Sequence, residues 1–201
     1  MTEKIKNYFI SIYPEHANLF LSLEKITKLK PSVIPLPEAI VKVITGQMLS
    51  GAAANTIYKR ISLLREKQSL EGSWQLDFES LKKCGLSSSK ANSIIEFGIY
   101  LDNDSKKIDY WRHLTNDDLY NEIKKFRGLG EWSAAIVSIF YLGRADIFPK
   151  GDSSLNKVIS YLTSSGKLIN SNYFFDVTKA MPYRSYLALY LWKALDEGKF
   201  Q

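Results

Sequence analysis

The sequence predicts an all-α protein, and three observations carry this prediction. Apolar residues recur at helical spacing along most of the 201 residues, and no segment alternates between apolar and polar residues as a half-buried strand does. Prolines, glycines and short polar runs divide the helical segments. Hydrophobic residues make up 45% of the chain and aromatic residues 13%, which is enough apolar surface for a folded core.

Charge and cysteine content limit the classes of partner and cofactor. The chain has 27 Lys and Arg residues against 21 Asp and Glu, and its net charge of +6 suits a polyanionic partner such as nucleic acid. The single cysteine, Cys84, excludes an intramolecular disulfide, and two histidines leave no cluster with the spacing of a zinc or iron–sulfur site. We therefore expect no metal in the chemistry.

The spacing of apolar residues over positions 2–29 predicts two short amphipathic helices, with a break at Tyr13-Pro14. Charged residues interrupt the apolar positions here, so we expect no signal peptide, no membrane span and an intracellular, soluble protein. Three prolines then favour an extended connection over residues 31–37. The positions expected in the core are Ile5, Tyr8, Phe9, Ile12, Leu19, Leu21, Leu23 and Ile26.

A polar corner joins the next two predicted helices. The first helix runs from Glu38 to Met48, and the second begins at residue 52. The corner carries the apolar side chains of Met48 and Leu49, next to the amide of Gln47. An exposed apolar side chain beside an amide suits a protein that fills the gap left by an extruded base. The alternative is that Met48 and Leu49 pack inward at an ordinary helix–helix turn.

Short helices and turns are predicted between residues 69 and 125. Within them we interpret Lys90 as a solvated surface residue, with a position near a phosphate as the alternative, and Cys84 as a small core residue. The expected elements are a helix over Phe78–Lys83, a helix over Ala91–Leu101, a loop over residues 102–109 and a helix that is capped by residues 116–118 and leads to Phe126.

The segment from Phe126 to Asp152 combines a glycine turn with an acidic residue. Gly128 and Gly130 let the backbone of the turn approach an anion closely, and a helix begins directly after them. An apolar segment over residues 132–142 follows, and the break at Gly143 leads back to Asp152. Each feature also has a plainer interpretation, because Gly-x-Gly can be only a tight turn and Asp152 can be only a helix N-cap.

Two or three helices are predicted after Asp152, over residues 155–162, roughly 173–179, and 183–195. The last is apolar enough to predict deep burial, with Tyr183, Tyr186 and Tyr190 in the core. Trp192 lies near the end of the same helix, where a tryptophan is often a plain core residue.

Four segments, in this order, resemble one protein family. Residues 37–60 contain Ile-Thr-Gly-Gln-Met-Leu-Ser, residues 85–91 read Gly-Leu-Ser-Ser-Ser-Lys-Ala, residues 126–157 contain Gly-Leu-Gly-Glu-Trp-Ser-Ala, and residues 182–192 begin Pro-Tyr-Arg-Ser-Tyr. They resemble the helix-hairpin-helix DNA glycosylases, specifically the alkyladenine, or 3-methyladenine DNA glycosylase II, branch. The resemblance implies a two-lobed helical fold with a helix-hairpin-helix motif and an active-site cleft between the lobes. The lobes would be residues 1–36 with 152–201, and residues 37–151, without the β-rich N-terminal domain of larger bacterial relatives.

The resemblance also implies roles for individual residues. Asp152 would be the catalytic carboxylate that stabilises the positive charge developing on the deoxyribose. Met48 or Leu49 would be the wedge, and Gln47 the amide that faces the estranged base or the lesion. The base pocket would be walled by Trp132, Trp192 and Tyr183. Contacts to DNA phosphates would come from Ser50, Arg127, Gly128, Leu129, Gly130 and Lys150, and a monovalent cation would bind at the hairpin, Gly128–Gly130.

Departures from the family pattern refine this expectation. Members that cut the DNA backbone use a lysine at the position of Trp132, so this chain should release the base without AP lyase activity. The lack of four cysteines disfavours the endonuclease and adenine-mismatch branches, which carry an iron–sulfur cluster. Arg127 stands where proline is common, and Gly151 stands where other members have a second carboxylate.

The sequence thus predicts a monofunctional glycosylase that flips and excises alkylated purines, of the 3-methyladenine and 7-methylguanine class, from duplex DNA in base excision repair. Such bases are cationic, which suits an aromatic pocket. We expect a monomer without a cofactor, in the cytoplasm of a prokaryote or the nucleus of a eukaryote. Two alternatives stay open: a non-catalytic DNA-binding helix-hairpin-helix protein, and a glycosylase of the same fold that acts on hypoxanthine or an oxidised purine.

Overall fold

The computed structural model describes residues 2–68, 70, 74–103 and 105–200. Regular structure in these residues is helical throughout, without a strand, which confirms the predicted all-α class. Three 3₁₀ helices cover Pro14–His16, Ser105–His113 and Val177–Ala180, and a π-helical segment covers Val137–Tyr141. The α-helices are α1 (Thr2–Ile12), α2 (Ala17–Ser22), α3 (Leu36–Gly46), α4 (Gly51–Lys67), α5 (Phe78–Lys83), α6 (Ser88–Asn103), α7 (Asn116–Ile123), α8 (Glu131–Ile136), α9 (Ser153–Lys167) and α10 (Arg184–Asp196).

Contacts divide the chain into two compact units. The terminal unit comprises residues 1–31 and 138–201, and the middle unit comprises residues 32–137. The sequence placed the second border at residue 152, whereas the contacts group residues 138–151 with the terminal unit. The loop over residues 144–147 gives the reason, because the Ser185 hydroxyl of α10 donates to the Arg144 carbonyl at 2.7 Å and accepts from the Ile147 N–H at 2.9 Å.

Aromatic side chains from both ends of the chain build the core of the terminal unit. Phe9 of α1 lies edge-on to Tyr190 of α10, with ring centroids 5.8 Å apart, and Tyr13 stacks on Phe175 at 4.5 Å. The predicted burial of Leu21 is wrong, since 59% of this residue is exposed. Helix α2 ends at Ser22, and the chain becomes extended at Leu23, so Leu23 turns into the core instead.

The helix predicted over residues 173–179 is reduced to the short 3₁₀ helix Val177–Ala180. Several backbone groups of this segment bond to other elements of the terminal unit. The Phe175 N–H donates to the Thr163 hydroxyl at 3.2 Å, and the Tyr13 hydroxyl donates to the Asp176 carbonyl at 2.9 Å. Tertiary bonds therefore replace the ladder that a helix would need.

The middle unit buries most of helix α3, together with residues of α5, α6 and the 3₁₀ helix Ser105–His113. That 3₁₀ helix corrects the loop predicted over residues 102–109, because it directs Trp111 into the core with no exposed surface. The cap of α7 is Thr115, one residue before the predicted caps, and its hydroxyl accepts from the Asp118 N–H at 3.1 Å. Cys84 is buried, as predicted.

Among the residues described, no helix combines the length and the apolar character that crossing a lipid bilayer requires.

Candidate active site

The predicted site residues occur in both units. The middle unit contains the corner over residues 47–50, the hairpin over residues 127–130 and Trp132, and the terminal unit contains Lys150, Asp152, Tyr183 and Trp192.

The corner between α3 and α4 is a tight turn over residues 46–49, which we call the wedge turn. Gln47 has φ −53° and ψ 130°, Met48 has φ 56°, and the Leu49 N–H donates to the Gly46 carbonyl at 3.2 Å. These values define a type II turn, whose third residue needs positive φ and is usually glycine or asparagine. A methionine there costs about 1–2 kcal/mol of backbone strain, so its surroundings must hold it.

The wedge turn presents its apolar side chains outward. Met48 is 97% exposed and Leu49 is 41% exposed, so the alternative of inward packing does not hold. Ser50 follows as the N-cap of α4, and its hydroxyl accepts from the Ala53 N–H at 3.4 Å. Met48 is the more exposed of the two apolar side chains.

Lys90, on α6, contacts the backbone of the wedge turn. Its ammonium donates to the carbonyl oxygen of Thr45 at 2.9 Å and to that of Gln47. The side chain is half-buried, and desolvation lowers its pKa. The interpretation of Lys90 as a solvated surface residue is therefore wrong, because the end of α3 supplies carbonyl oxygens that need donors.

The hairpin between α7 and α8 turns through Gly128, which has φ 77°. A Cβ on this residue would lie 3.1 Å from the Ser93 hydroxyl, so the fold itself favours glycine here. Ser93 in turn donates to the Arg127 carbonyl at 2.8 Å. The Leu129 side chain is buried, and its N–H donates to the Phe126 carbonyl at 3.1 Å, so the turn already uses one of the N–H groups predicted to face a phosphate.

Gly130 differs from Gly128 because its backbone conformation does not require glycine. It is the N-cap of α8 with an extended backbone, φ −142° and ψ −159°. Apart from Gly130 itself and its neighbours along the chain, no described residue places a heavy atom within 4 Å of the position its Cβ would occupy. The fold would thus accept a side chain at Gly130. Arg127, on the same hairpin, has an exposed side chain.

The Gln47 side chain connects the wedge turn to the hairpin. Its amide nitrogen donates to the Gly128 carbonyl at 2.8 Å and to the Ser133 hydroxyl at 3.2 Å. The sequence predicted that this amide faces the estranged base. In the structure its amide nitrogen bonds to two elements of the middle unit, and the contact with a base stays a prediction.

Asp152 stands at the N-terminus of α9 in the terminal unit. Its Oδ1 accepts from the Leu155 N–H at 2.9 Å, as the predicted N-cap does, and from the Trp192 indole N–H at 3.4 Å. Gly151, with φ 81°, turns the chain into this position. Sequence reasoning named Asp152 and Trp192 separately, and the structure brings the two side chains into contact.

Phe140 is the aromatic residue that sequence reasoning missed. It is 43% exposed, and its ring stacks on Trp192 with centroids 5.9 Å apart and an interplanar angle of 28°. The π-helical segment Val137–Tyr141 carries it, and π-bulges occur frequently at functional sites. A π-bulge leaves little trace in a sequence, so only the exposed aromatic in an apolar run could have drawn attention to it.

The other predicted site residues have less specific surroundings. Trp132 is half-buried on α8, and Lys150 is exposed on the turn that precedes Gly151. Tyr183 is half-buried, and its ring meets Tyr8 edge-on at 5.7 Å and Tyr186 at 6.3 Å. In the part of the chain that the structure describes, no group of three or more His, Cys, Asp or Glu residues could hold a metal ion.

An ion pair fixes the loop that leads from the π-helical segment to Asp152. Arg184 at the start of α10 donates to both carboxylate oxygens of Asp146, at 2.7 and 2.9 Å, and both side chains are only about a quarter exposed, at 27% and 28%. Burial alone would raise the pKa of Asp146, but the hydrogen bonds and charge of Arg184 outweigh it, so the pKa is lowered. The pair therefore stabilises the folded protein at pH values above the pKa of an aspartate in the unfolded chain.

Replacing Arg184 by methionine should lower the free energy of unfolding by about 1–2 kcal/mol at neutral pH, since Asp146 loses a bidentate partner at a partly screened site. This difference should shrink as the pH falls through the folded pKa of Asp146, where the carboxyl is protonated and the pair is lost in the parent protein too. Urea unfolding at pH 7 and at pH 3 measures both effects. Lys125→Met removes an exposed ion pair with Glu122 and should change stability far less; equal losses in the two variants would contradict the argument.

Comparison with known proteins places the chain in a family. No family model matches it. DNA-3-methyladenine glycosylase 1 of Schizosaccharomyces pombe is 26% identical over 161 residues, which cover 78% of this chain and 71% of the relative. Alkylbase DNA glycosidase-like protein mag2 of the same yeast is 30% identical over 166 residues, which cover 78% of this chain and 76% of the relative.

A solved structure shows the same fold. The S. pombe 3-methyladenine DNA glycosylase (Mag1) in complex with abasic DNA matches with a TM-score of 0.73 and 21% identity, over 96% of this chain and 97% of that one. The helical architecture and the identity to relatives thus agree with the four matched sequence segments. The chain belongs to the helix-hairpin-helix superfamily of DNA glycosylases, in its 3-methyladenine branch.

Proposed function

We propose that this protein is a monofunctional DNA glycosylase that flips alkylated purines, such as 3-methyladenine and 7-methylguanine, out of duplex DNA and hydrolyses their N-glycosidic bond in base excision repair. The observation that carries the proposal is the contact of the Asp152 carboxylate with the Trp192 indole N–H, beside the exposed ring of Phe140. An acidic group and an aromatic surface are the two features that this reaction needs.

The carboxylate would act on the sugar. Breaking the glycosidic bond builds oxocarbenium character on the deoxyribose, and a fixed negative charge nearby stabilises it. Two donors, the Leu155 N–H and the Trp192 N–H, hold Asp152 Oδ1, which orients the carboxylate before the substrate arrives. Asp152 can also orient or deprotonate the attacking water.

The aromatic residues would act on the base. An alkylated purine carries a positive charge, so it is attracted to the face of an indole or phenyl ring. Trp192 and Phe140 offer such faces in the terminal unit, and Trp132 and Tyr183 stay proposed pocket residues. The cationic base is a good leaving group, so selection in the pocket matters more than acid catalysis of its departure.

The middle unit would engage the DNA. Met48 is the proposed wedge and Leu49 supports it, because both are exposed on the wedge turn. Gly128, Leu129 and Gly130 form the proposed backbone grip on a phosphate, and Ser50 and Arg127 add polar or positive groups that suit further phosphates. Lys150 is a proposed phosphate contact of the terminal unit.

A monovalent cation at the hairpin is a further part of the proposal. The Gly128 carbonyl oxygen accepts a hydrogen bond from the Gln47 amide, which uses one of its two lone pairs. The second lone pair is available to a weakly bound cation at the turn Gly128–Gly130. When bound, the ion would add positive charge near a phosphate. The protein would otherwise act without a cofactor.

The absence of AP lyase activity is proposed because Trp132 stands where lyase members carry the lysine that forms a Schiff base. The product would be an intact strand with an abasic site. We further propose that the protein acts as a monomer, and that it is found where the cell keeps its DNA, in a prokaryotic cytoplasm or a eukaryotic nucleus.

The proposal is tested with methylated duplex DNA. We expect the protein to liberate free 3-methyladenine and 7-methylguanine, detected by chromatography, and to leave strands that break only after alkali. Duplex binding without any released base would favour a non-catalytic DNA-binding protein. Release from hypoxanthine or oxidised-purine DNA alone would favour a glycosylase for another base, and strand breaks without alkali would contradict the lack of lyase activity.

A further inference from the structure

Lys90 is a charged residue of the middle unit whose contacts the proposed reaction leaves unexplained. Its ammonium donates to the carbonyl oxygens of Thr45 and Gln47, at the end of α3 and within the wedge turn. Thr45 is fully buried, and Lys90 itself is half-buried. A lysine that extends into such a position loses rotamer freedom and hydration, so the contacts must serve a purpose in the local fold.

The conformation of the wedge turn depends on one peptide group. Type I and type II turns differ by a flip of the central peptide, here the one between Gln47 and Met48. In the type II form the Gln47 carbonyl takes one side of the turn and Met48 must adopt positive φ, as it does at 56°. In a type I turn the carbonyl would lie on the opposite side, and Met48 would relax to the negative φ that methionine prefers.

We infer that Lys90 is a positioning residue that locks the wedge turn in its type II form and so keeps Met48 projecting outward. Its ammonium donates to the Gln47 carbonyl, which a flip of the peptide would turn away from Lys90. This hydrogen bond favours the type II form, which methionine at the third position of the turn does not favour by itself. Gln47 anchors the same turn to the hairpin through Gly128. This inference rests on the proposed function only for the use of the projecting side chain, not for the lock.

A locked wedge matters because insertion must occur as the base leaves the stack. If the turn interconverted between two forms, part of the interaction energy of Met48 with the DNA would be spent on ordering it. Lys90 would therefore affect base extrusion more than initial binding to the duplex. A direct contact of Lys90 with a DNA phosphate is the competing explanation, and it predicts a larger effect on initial binding to the duplex than on base extrusion.

The lock is tested first without DNA. Lys90→Met keeps an unbranched stem of similar length and removes the donor. The parent chain has three methionines and the variant has four, so selective ¹⁵N labelling of methionine leaves few amide signals, and the Met48 signal is identified by its loss in Met48→Ala. In the parent protein we expect a strong nuclear Overhauser effect between the Gln47 Hα and the Met48 amide proton, as in a type II turn. Loss of this signal in Lys90→Met supports the lock, and its retention overturns it, whatever the enzyme does.

The use of the lock is tested by base release in a double-mutant cycle. Lys90→Met should slow release from alkylated duplex by about 10-fold or more, as misplacement of a positioned group does. In the Met48→Ala background, which has no wedge to hold, the same change should have less than about a twofold effect, because coupled residues are not additive. Independent, additive losses would contradict action through Met48.

Two controls separate the other outcomes. The slope of duplex affinity against salt should be unchanged in Lys90→Met, whereas a fall of about one would indicate a phosphate contact and overturn the inference. Lys90→Arg retains a donor and should restore much of the nuclear Overhauser signal. A parent protein that releases no base would defeat the proposed function, while the amide measurements would still decide whether Lys90 fixes the turn.

Discussion

Asp152→Asn should reduce base release from alkylated duplex DNA by about 100- to 1000-fold, the loss typical of removing one electrostatic stabiliser of a transition state. Asparagine keeps the shape of the side chain and an oxygen that can accept from both the Leu155 and the Trp192 N–H groups. The charge that would face the oxocarbenium ion is the feature that disappears. Single-turnover release of free base measures the effect.

Stability should not follow activity in this variant. Asparagine and aspartate are nearly equivalent as N-caps, so the unfolding free energy should change by less than about 0.5 kcal/mol. Asp77→Asn provides the matched control, because Asp77 caps α5 in the same way, with the Ser80 N–H at 2.9 Å. We expect this control to retain full activity.

The outcomes of this pair are distinct. Equal base release by the parent protein and Asp152→Asn would show that Asp152 is a helix cap without a role in chemistry. A loss shared by the Asp77 variant would point to an indirect effect on folding. Only a loss confined to Asp152 supports the proposed mechanism.

The sequence predicted well those elements whose signals are local. Helix α5 has the predicted bounds, Phe78–Lys83, because a capping aspartate starts it and glycine follows it closely. The exposure of Met48 and Leu49 was predicted from an apolar pair at a polar corner, and from the resemblance, not from periodicity. Where a cap or a turn residue is decisive, a few neighbouring residues contain the information.

The errors share a different cause. Lys90 and Leu21 were misjudged because their environments are created by segments that a local pattern does not include. The bond between the Gln47 amide and Gly128, 81 residues away, was likewise not predicted, while the contact of this amide with a base stays a prediction. Phe140 was missed because a π-helical segment shifts which side of an apolar run faces outward. Each of these contacts depends on tertiary structure that propensity cannot supply.

The two hairpin glycines show how structure sharpens a sequence motif. In a Gly-x-Gly pattern both residues look equally required. In the structure Gly128 needs its positive φ, so Gly128→Ala should destabilise the fold by about 1–2 kcal/mol. Gly130 has an ordinary extended backbone and open space where a Cβ would stand, so the fold does not need glycine there. A requirement for glycine at 130 would have to come from a ligand that approaches the backbone.

Gly130→Val should therefore weaken duplex binding by about 10-fold at every DNA sequence, and should lower the salt slope by about one, because the added side chain keeps a phosphate away from the turn. Fluorescence anisotropy with a labelled duplex, between low and moderate salt, measures both quantities. Gly130→Ser tests the fold separately, since serine is a preferred N-cap and should leave the unfolding free energy unchanged or slightly higher.

The serine variant also makes the prediction strict. It should bind DNA more weakly than the parent protein while being at least as stable, a combination that damage to the fold cannot produce. Unchanged binding in both Gly130 variants would remove this residue from the DNA interface and leave the hairpin a structural turn. Weaker binding to one sequence alone would indicate a base contact, since a backbone grip on a phosphate is blind to sequence.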